Sequence, residues 1–313
     1  MTGSNGAQLL VDAGRSGIRI ARRYGDRVVP VTEGSGLPML AEPGGPAAAA
    51  QAVASLLADG EPIAVIAAGL TGLMEVPQRT EVVAAALQQA TGAGTVILTS
   101  DVVTSHLGAL GGQPGVVAAV GTGTVVLGLG VTGRAAKVDG WGYLLGDAGS
   151  GFDIGRRGLA AAMAGHDGRR ATALQAAAED RFGPVAHLPG WLYAQPEPVH
   201  LVASFAPQVA EAARLGDTVA RGIWDAAAEA IAEAVAAALD GAQLSGAERR
   251  VSFAGALGRL DLLQDRVRTR LSRLDQPPTL TGAAGDALTG AGLLLQAEVR
   301  RWLGPLTYSS PGS

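Results

Sequence analysis

The sequence predicts an α/β protein made of two related halves, and three observations lead to this prediction. Short runs of valine and isoleucine alternate with alanine-rich segments of helical spacing, the pattern of an α/β sheet. A strand, a glycine turn and a second strand occur at 8–21 and again at 115–129. The 313 residues are 48% hydrophobic and 17% charged, which is enough apolar material for two hydrophobic cores.

The first half reads as a series of buried strands and amphipathic helices that follows the turn at 12–17. Predicted strands lie at 8–11, 18–21, 27–31, 63–67 and 95–98, and predicted helices at 46–57 and 76–90. Asp101 comes just after the last of these strands, at the start of another predicted helix. As a helix N-cap it would be structural, whereas within reach of a substrate hydroxyl it would be a general base.

The pattern then restarts, which indicates either an internal duplication or two hairpins that are similar by chance. Predicted strands lie at 115–120, 125–129, 134–138 and 251–254, and predicted helices across 154–239 with a break at 184–198, then at 260–274 and 283–302. Asp286 could be an acid in the first turn of the last helix, stabilised by its dipole. Residues 1–6 and 309–313 are small and polar, so we expect both ends to be dispensable.

Composition excludes several classes of function. The 24 basic and 28 acidic residues give a net charge of −4, so nothing attracts nucleic acid or an anionic membrane. Cysteine is absent, which excludes disulfides, thiolate metal sites and iron–sulfur ligands. Residues 102–133 carry no Asp, Glu, Lys or Arg, but glycine and proline interrupt them, and they read as buried strands. With no secretory signal visible, we expect a cytoplasmic protein.

Two turns have the composition of phosphate-binding loops. The turns at 12–17 and 121–124 present backbone N–H groups and hydroxyls, which suit phosphate oxygens, although each alone could be an ordinary tight turn. Asp12 is placed to hold a hydrated Mg²⁺ against such phosphates. The lysine-containing mononucleotide loop is absent, since Lys137 is the sole lysine. Residues 128–133 match the dinucleotide fingerprint, but no helix follows, so we predict a hairpin there.

The glycine-rich segment 140–151 has the composition of a loop that closes on a small polar ligand. Trp141 offers a flat apolar face and Asp147 a hydrogen-bond acceptor, a pair that suits a sugar ring. The alternative is a glycine-rich hairpin with a buried tryptophan. The four histidines have no metal-ligand spacing, and we assign them structural or surface roles.

Taken in order, these segments resemble the N-acetylglucosamine kinase family, in the BadF/BadG/BcrA/BcrD ATPase-type branch of the actin, hexokinase and heat-shock-chaperone superfamily. Residues 140–151 resemble its sugar loop, Gly-Trp-Gly-x-x-x-Gly-Asp-Glu-Gly-Ser, residues 12–17 and 121–124 its two phosphate motifs, and 254–258 its adenosine loop. The resemblance implies two ribonuclease-H-like, actin-like ATPase domains flanking a cleft, at 1–112 and 113–313. It also implies a helix-rich insertion in the second domain, with the last helix packing back on the first.

The same resemblance implies an ATP- and Mg²⁺-dependent kinase that phosphorylates a small-molecule amino sugar at O6. Asp101 would deprotonate the sugar hydroxyl, and Asp12 would hold Mg²⁺ through water. The implied sugar contacts are Asp101, Gly140, Trp141 and Asp147, and the implied ATP contacts are Gly14, Ser16, Gly121, Thr122, Gly123, Thr124, Gly255 and Gly258. The oligomeric state stays open, a homodimer included.

Some positions depart from the family pattern. Arg15 stands where glycine is common, Gly17 where a cation is common, Ala148 where the sugar loop has an acid, and 33–39 lacks an asparagine. These departures motivate an alternative, a sugar or nucleotide sensor without turnover. A second alternative, an ATPase that activates a partner enzyme, fits poorly because such activators use cysteines.

Overall fold

The computed structural model describes residues 6–29, 32–57 and 62–310, and they fall into two units that each contain one sheet. The first unit comprises the described residues within Met1–Pro114, Val131–Gly133 and Ala283–Ser313. The second comprises Gly115–Gly130 and Arg134–Gly282. Within the described residues, no helix has both the length and the apolar character needed to cross a membrane.

The strands and helices of the described residues carry the following bounds. The strands are β1 (Ala7–Ala13), β2 (Ile18–Tyr24), β3 (Arg27–Val28), β4 (Thr32–Gly34), β5 (Ile63–Leu70), β6 (Thr95–Thr99), β7 (Gly115–Val120), β8 (Thr124–Leu129), β9 (Ala135–Asp139), β10 (Arg250–Ala254), β11 (Thr279–Leu280) and β12 (Tyr308–Ser309). The helices are α1 (Gly45–Ala54), α2 (Thr80–Thr91), α3 (Asp101–Leu110), α4 (Gly151–His166), α5 (Leu174–Phe182), α6 (Leu188–Tyr193), α7 (Pro198–Ala203), α8 (Ala206–Arg214), α9 (Thr218–Gly241), α10 (Asp261–Leu271), α11 (Ala287–Leu293) and α12 (Ala297–Leu303).

The two sheets repeat one topology. The first has the order β12-β6-β5-β1-β2-β3, with β4 also pairing with β2, and the second has the order β11-β10-β7-β8-β9. In each, an antiparallel run of three strands (β1-β2-β3 or β7-β8-β9) continues into two strands parallel to its first member. A shared order and direction of five strands is not expected of two chance hairpins, so the topology favours internal duplication.

The core of the first unit packs helices against the strands that lead to its candidate site residues. Leu9, Ile66 and Leu98, on β1, β5 and β6, are fully buried in it. On another face, α11 approaches α3 closely, because a Cβ at Gly290 would lie only 1.9 Å from the backbone oxygen of Thr104. No residue other than glycine fits there without moving one helix.

The second unit is built around the longest helix. Between β9 and β10 the chain runs through six helices, of which α9 has 24 residues. Trp224, Ile231 and Val235 on its inner face are fully buried in one core with strands β7 and β8. The side chain of Asp217 caps this helix by accepting the N–H of Ala220 at 2.9 Å.

Two expectations from the sequence need correction, and a third is confirmed. The helix expected at 283–302 is two helices, α11 and α12, because Leu295 and Gln296 donate to carbonyls three residues back and Gln296 is extended. The strand expected at 27–31 stops at Val28, and residues 30–31 lie outside the described part of the chain. Residues 128–133 do form part of a hairpin, β8–β9, as predicted.

The end of the chain was expected to be dispensable, and for Ser309 and Ser310 this is wrong. Ser309 pairs with Ile97 in strand β12, and Ser310 is 6% exposed. The Ser310 hydroxyl accepts the N–H of Val96 at 2.9 Å, while its own N–H donates to the Val96 carbonyl at 2.9 Å. Small polar residues can thus close a sheet edge. Residues 1–5 and 311–313 of the predicted ends lie outside the described residues, whereas Gly6 is described.

Ser310→Ala should lower the free energy of unfolding by about 1–3 kcal/mol, because it leaves the buried N–H of Val96 without its acceptor. Denaturant unfolding measures this change. Ser55→Ala is the matched control, since that hydroxyl also makes a hydrogen bond with the backbone, as a donor to the Ala52 carbonyl, but is exposed. Its effect should stay within about 0.5 kcal/mol. Equal effects of the two variants would contradict the anchoring role of Ser310.

Candidate active site

Asp101 lies at the carboxyl end of a parallel strand in the first unit. Strand β6 ends at Thr99, Ser100 is the N-cap, and Asp101 is the first residue of α3. The N-cap alternative for Asp101 is therefore wrong. Its Oδ1 instead accepts from the Ser100 hydroxyl at 3.0 Å and from the N–H of Val102 at 2.8 Å.

Burial raises the pKa of Asp101, and the nearby Asp12 carboxylate acts in the same direction. Hydrogen bonds from Ser100, Val102 and Thr71 oppose the rise without cancelling it. A carboxylate with a raised pKa accepts a proton more readily than an ordinary one, which is what a general base requires.

A second carboxylate of the first unit, Asp12, is bound to an arginine that sequence reasoning missed. Arg19 stands directly opposite Asp12 in the β1–β2 hairpin. Its Nη2 donates to Asp12 Oδ2 at 2.7 Å, and its Nη1 donates to Asp286 Oδ2 at 3.0 Å. The signal was the register of the hairpin, in which residues seven apart face each other across the turn.

Asp286 differs from the expected first-turn acid, because it is the N-cap of α11 and accepts the N–H of Thr289 at 3.0 Å. Burial acts to raise its pKa, but the Thr289 hydrogen bonds and the charge of Arg19 hold the pKa of Asp286 below the usual range. Asp12 shows the opposite result, since burial raises its pKa despite the bond to Arg19. One arginine thus joins two carboxylates with different affinities for protons.

Asp12 suits a magnesium ion that arrives with nucleotide phosphates. Mg²⁺ usually binds through one or two carboxylates together with phosphate oxygens and water. Asp12 and Asp286 are two carboxylates linked by Arg19. The described residues contain no group of three or more potential metal ligands. Two neighbouring carboxylates are the number that Mg²⁺ commonly takes from a protein when phosphates and water supply its other ligands.

The turn that follows Asp12 is closed by backbone hydrogen bonds and exposes its tip. The N–H of Gly14 donates to the carbonyl of Gly17 at 2.9 Å, and Ser16 at the tip is exposed. The N–H of Leu37 donates to the carbonyl of Gly14 at 2.9 Å, so the segment 33–39 flanks this turn. The strand ends of β1, β5 and β6 thus bring the turn, Thr71 and Asp101 to one edge of the first sheet, as parallel strands do.

In the second unit, Asp139 organises the tryptophan-containing loop, and sequence reasoning missed it. Its Oδ1 accepts from the N–H groups of Gly140 and Asp147, both at 2.7 Å, and its Oδ2 accepts from Ala148 at 2.9 Å. Asp139 itself has a positive φ of 61°. One carboxylate therefore ties the two ends of the loop together. In the sequence Asp139 reads only as the residue after a strand.

Asp147 lies against the second glycine turn. A Cβ at Gly123 would be 2.7 Å from Asp147 Oδ2, so no larger residue fits at that position in the turn without displacing the carboxylate. Burial raises the pKa of Asp147, the Asp139 charge adds to this rise, and N–H donors on Thr124 and Gly142 oppose it. Thr124 is buried, whereas Thr122 at the tip is partly exposed. The structure thus joins the predicted sugar loop to the predicted second phosphate turn.

Trp141 projects from this loop with 67% of its surface exposed, so the alternative of a buried tryptophan is wrong. Its ring lies 5.0 Å from the ammonium nitrogen of Lys137, a cation–π contact. An exposed aromatic face held by a neighbouring cation is available to stack against a flat ligand.

The segment predicted to contact adenosine also meets the second turn. Strand β10 is parallel to β7, and the loop after it donates from the N–H groups of Leu257 and Gly258 to the carbonyl of Val120, both at 3.1 Å. The N–H of Gly151 donates to the Gly121 carbonyl at 2.8 Å. Three separate predicted ligand segments of the second unit are therefore held together by backbone hydrogen bonds.

The chain is similar to known ATPases and sugar kinases. The model of the BadF/BadG/BcrA/BcrD ATPase family matches residues 47–290. A curated N-acetylmuramic acid/N-acetylglucosamine kinase of Clostridium acetobutylicum is 26% identical over 209 residues, which cover 66% of this chain and 68% of the relative.

Two solved structures share the fold. A Chromobacterium violaceum protein assigned as an N-acetylglucosamine kinase is 28% identical with a TM-score of 0.74, covering 93% of this chain and 99% of that one. A ROK family glucokinase from Streptomyces griseus, in complex with glucose and AMPPNP, is 18% identical with a TM-score of 0.55, covering 91% and 98%. The expected α/β fold of two actin-like ATPase domains is confirmed.

Asp139→Ala should open the loop, because three backbone N–H groups lose a charged acceptor and alanine disfavours a positive φ. Hydrogen exchange should become at least about tenfold faster at the amides of Asp147 and Ala148, the change that about 1.4 kcal/mol of lost protection produces. Asp139→Asn, which tolerates this φ and keeps one oxygen, should give an intermediate rate.

The matched control for this experiment is Asp167→Ala, which removes an exposed carboxylate of the same unit that accepts from the neighbouring Arg169. Its loop amides should exchange as in the wild type. Unchanged exchange in Asp139→Ala would show that the loop closes without this carboxylate.

Proposed function

The chain belongs to the BadF/BadG/BcrA/BcrD ATPase family and is a sugar kinase that uses ATP with Mg²⁺, and we propose that it phosphorylates O6 of an amino sugar of the N-acetylglucosamine type. The observation that carries this proposal is the loop 139–151, which presents an exposed Trp141 ring and a half-buried Asp147 carboxylate. A flat ring and a nearby acceptor are the groups that a pyranose with several hydroxyls needs.

We assign the proton transfer to Asp101. Two donors fix its Oδ1, which orients the carboxylate, and its raised pKa increases its basicity. Removing the proton from a sugar hydroxyl makes the oxygen a better nucleophile toward phosphorus. In phosphoryl transfer the remaining contributions are positioning and charge neutralisation.

We assign phosphate binding to the two glycine turns. Gly14 and Ser16 belong to the first, Gly121 to Thr124 form the second, and Gly255 and Gly258 lie beside it as nucleoside contacts. Their donors are backbone N–H groups and hydroxyls, which bind phosphate without a lysine. Asp12 would hold Mg²⁺, which when bound neutralises charge on the phosphate oxygens.

The function is tested by the release of ADP from Mg²⁺ and ATP with N-acetylglucosamine, N-acetylmuramic acid, glucosamine, glucose or no sugar. The proposal expects release that depends on an amino sugar, with the new phosphate at O6 by phosphorus NMR. Release that is equal without sugar would indicate a partner-driving ATPase, and no release would indicate a sensor. Preference for glucose would contradict the amino-sugar assignment.

Asp101→Asn should lower turnover by about a hundredfold or more, the usual scale for a lost general base. The KM values for sugar and ATP should stay within a few-fold, because the amide keeps the shape of the side chain. Steady-state kinetics measure both.

Asp261→Asn is the control for Asp101→Asn, since Asp261 is likewise the first residue of a helix, α10, but is exposed. Its turnover should equal that of the wild type. Near-normal turnover in folded Asp101→Asn would remove Asp101 from the role of base.

A further inference from the structure

A pocket of about 500 Å³ lies in the second unit, next to the tryptophan-containing loop. One wall is formed by Tyr143 and Phe152, whose rings are 5.0 Å apart. Arg156 and Arg157, from the first turns of α4, line another wall. No role has been assigned to these side chains so far. The pocket therefore combines an apolar surface with two cations.

The charges in this pocket do not cancel. Oδ1 of Asp153 accepts from Arg157 Nε at 2.8 Å and from Arg156 Nη2 at 3.2 Å. Burial acts to raise the pKa of Asp153, but the bond from Arg157 and the other donors hold it below the usual range, so the carboxylate stays ionised. Two guanidinium groups and one carboxylate leave a net charge of +1.

The arginines also retain the capacity to bind an anion. A guanidinium has five N–H donors, and the bond to Asp153 uses one of them on each arginine. The side chains of Arg156 and Arg157 are 55% and 43% exposed. A carboxylate carries a charge of −1, which matches the charge of the pocket, and guanidinium geometry suits carboxylate oxygens.

The pocket is continuous with the loop to which we assign the sugar. Gly146 and Ala148, the two neighbours of Asp147 in the sequence, line the pocket. The Asp153 carboxylate also accepts the N–H of Gly149 at 3.2 Å, so the residue that holds the arginines also holds the loop. The pocket and the Asp147 carboxylate are therefore built on the same short segment of the loop.

We propose that this pocket binds a carboxylate-bearing substituent of the acceptor, so that the preferred substrate is an acidic amino sugar such as N-acetylmuramic acid rather than N-acetylglucosamine. The two sugars differ by an ether-linked lactic acid group, whose carbon atoms suit the aromatic wall and whose carboxylate suits the arginines. This proposal rests on the proposed function, since it names the acceptor of the same site.

The test compares kcat/KM for N-acetylmuramic acid and N-acetylglucosamine in the wild type, Arg156→Gln, Arg157→Gln and Arg169→Gln. The last is the matched control, because Arg169 lies just beyond the other end of α4 and pairs with Asp167 in the exposed surface. We expect the wild type to favour N-acetylmuramic acid at least tenfold. Arg156→Gln and Arg157→Gln should each lower kcat/KM for N-acetylmuramic acid about tenfold or more, the scale of one charged hydrogen bond. In both variants kcat/KM for N-acetylglucosamine and the KM for ATP should stay within about twofold of the wild-type values.

Equal use of the two sugars by the wild type would overturn the proposal, as would arginine variants that lower activity on both sugars alike. Arg157→Gln removes a partner of Asp153, so thermal unfolding of each variant is measured, and the more exposed Arg156 gives an independent result. If neither sugar is phosphorylated, the proposed function fails. Calorimetric titration with each sugar then tests the pocket separately from the activity. Stronger binding of N-acetylmuramic acid than of N-acetylglucosamine, lost in Arg156→Gln, would support the proposal. Equal binding of the two sugars would overturn it.

Discussion

Three backbone N–H groups converge on the carboxylate of Asp139, and the candidate site of the second unit depends on this interaction. The donors belong to Gly140 at one end of the loop and to Asp147 and Ala148 at the other. Hydrogen bonds to a charged acceptor contribute about 1.5–3 kcal/mol each, which is enough to hold a glycine-rich segment in one conformation. This closure fixes the backbone at Asp147 and at Ala148, which lines the pocket that contains Arg156 and Arg157.

The first unit shows a different constraint, the placement of carboxylates where burial opposes their charge. Burial raises the pKa of both Asp12 and Asp101. A carboxylate whose pKa is raised in the folded protein stabilises the fold at low pH, and this stability is lost as the pH rises through the raised pKa. The ionised form of Asp101 therefore opposes stability. Buried carboxylates with raised pKa values are expected at reactive sites. In a purely structural role a carboxylate would be paired with a cation or exposed to solvent. Arg19 offsets part of this effect at Asp12 and also binds Asp286.

Much of the fold could be predicted because its signals are local. Consecutive residues predict the apolar strands, the turns after Ala13 and Val120, and the repeated hairpin. The two sheets have the expected common pattern. The split between α11 and α12 was missed, because the apolar run continues through Leu294 and Leu295, whereas the chain leaves the α-helix at Leu295 and Gln296. Ser310 was missed because its partner, Val96, is 214 residues away in the sequence.

The candidate site was predictable at its glycine turns but not at the residues that position them. Arg19 joins Asp12 and Asp286, which are distant in the sequence, and only the tertiary structure brings the three together. Asp139 and Asp153 accept hydrogen bonds from backbone N–H groups. Nearly every residue type has a backbone N–H, so the sequence does not show which residues donate. Loops that bind ligands can thus be recognised from their residue composition, whereas the side chains that hold such loops in place mostly cannot.

We propose that the loop closed by Asp139 presents Asp147 to the sugar, although that carboxylate also lies against the turn assigned to phosphate. The most direct test is the KM of Asp147→Ala for the accepted amino sugar and for ATP, measured in the same preparation. We expect the KM for the sugar to rise about tenfold or more, the scale of one charged hydrogen bond, while the KM for ATP changes less than about twofold. An equal rise in both values in the folded variant would contradict it and would make Asp147 a support for the phosphate turn.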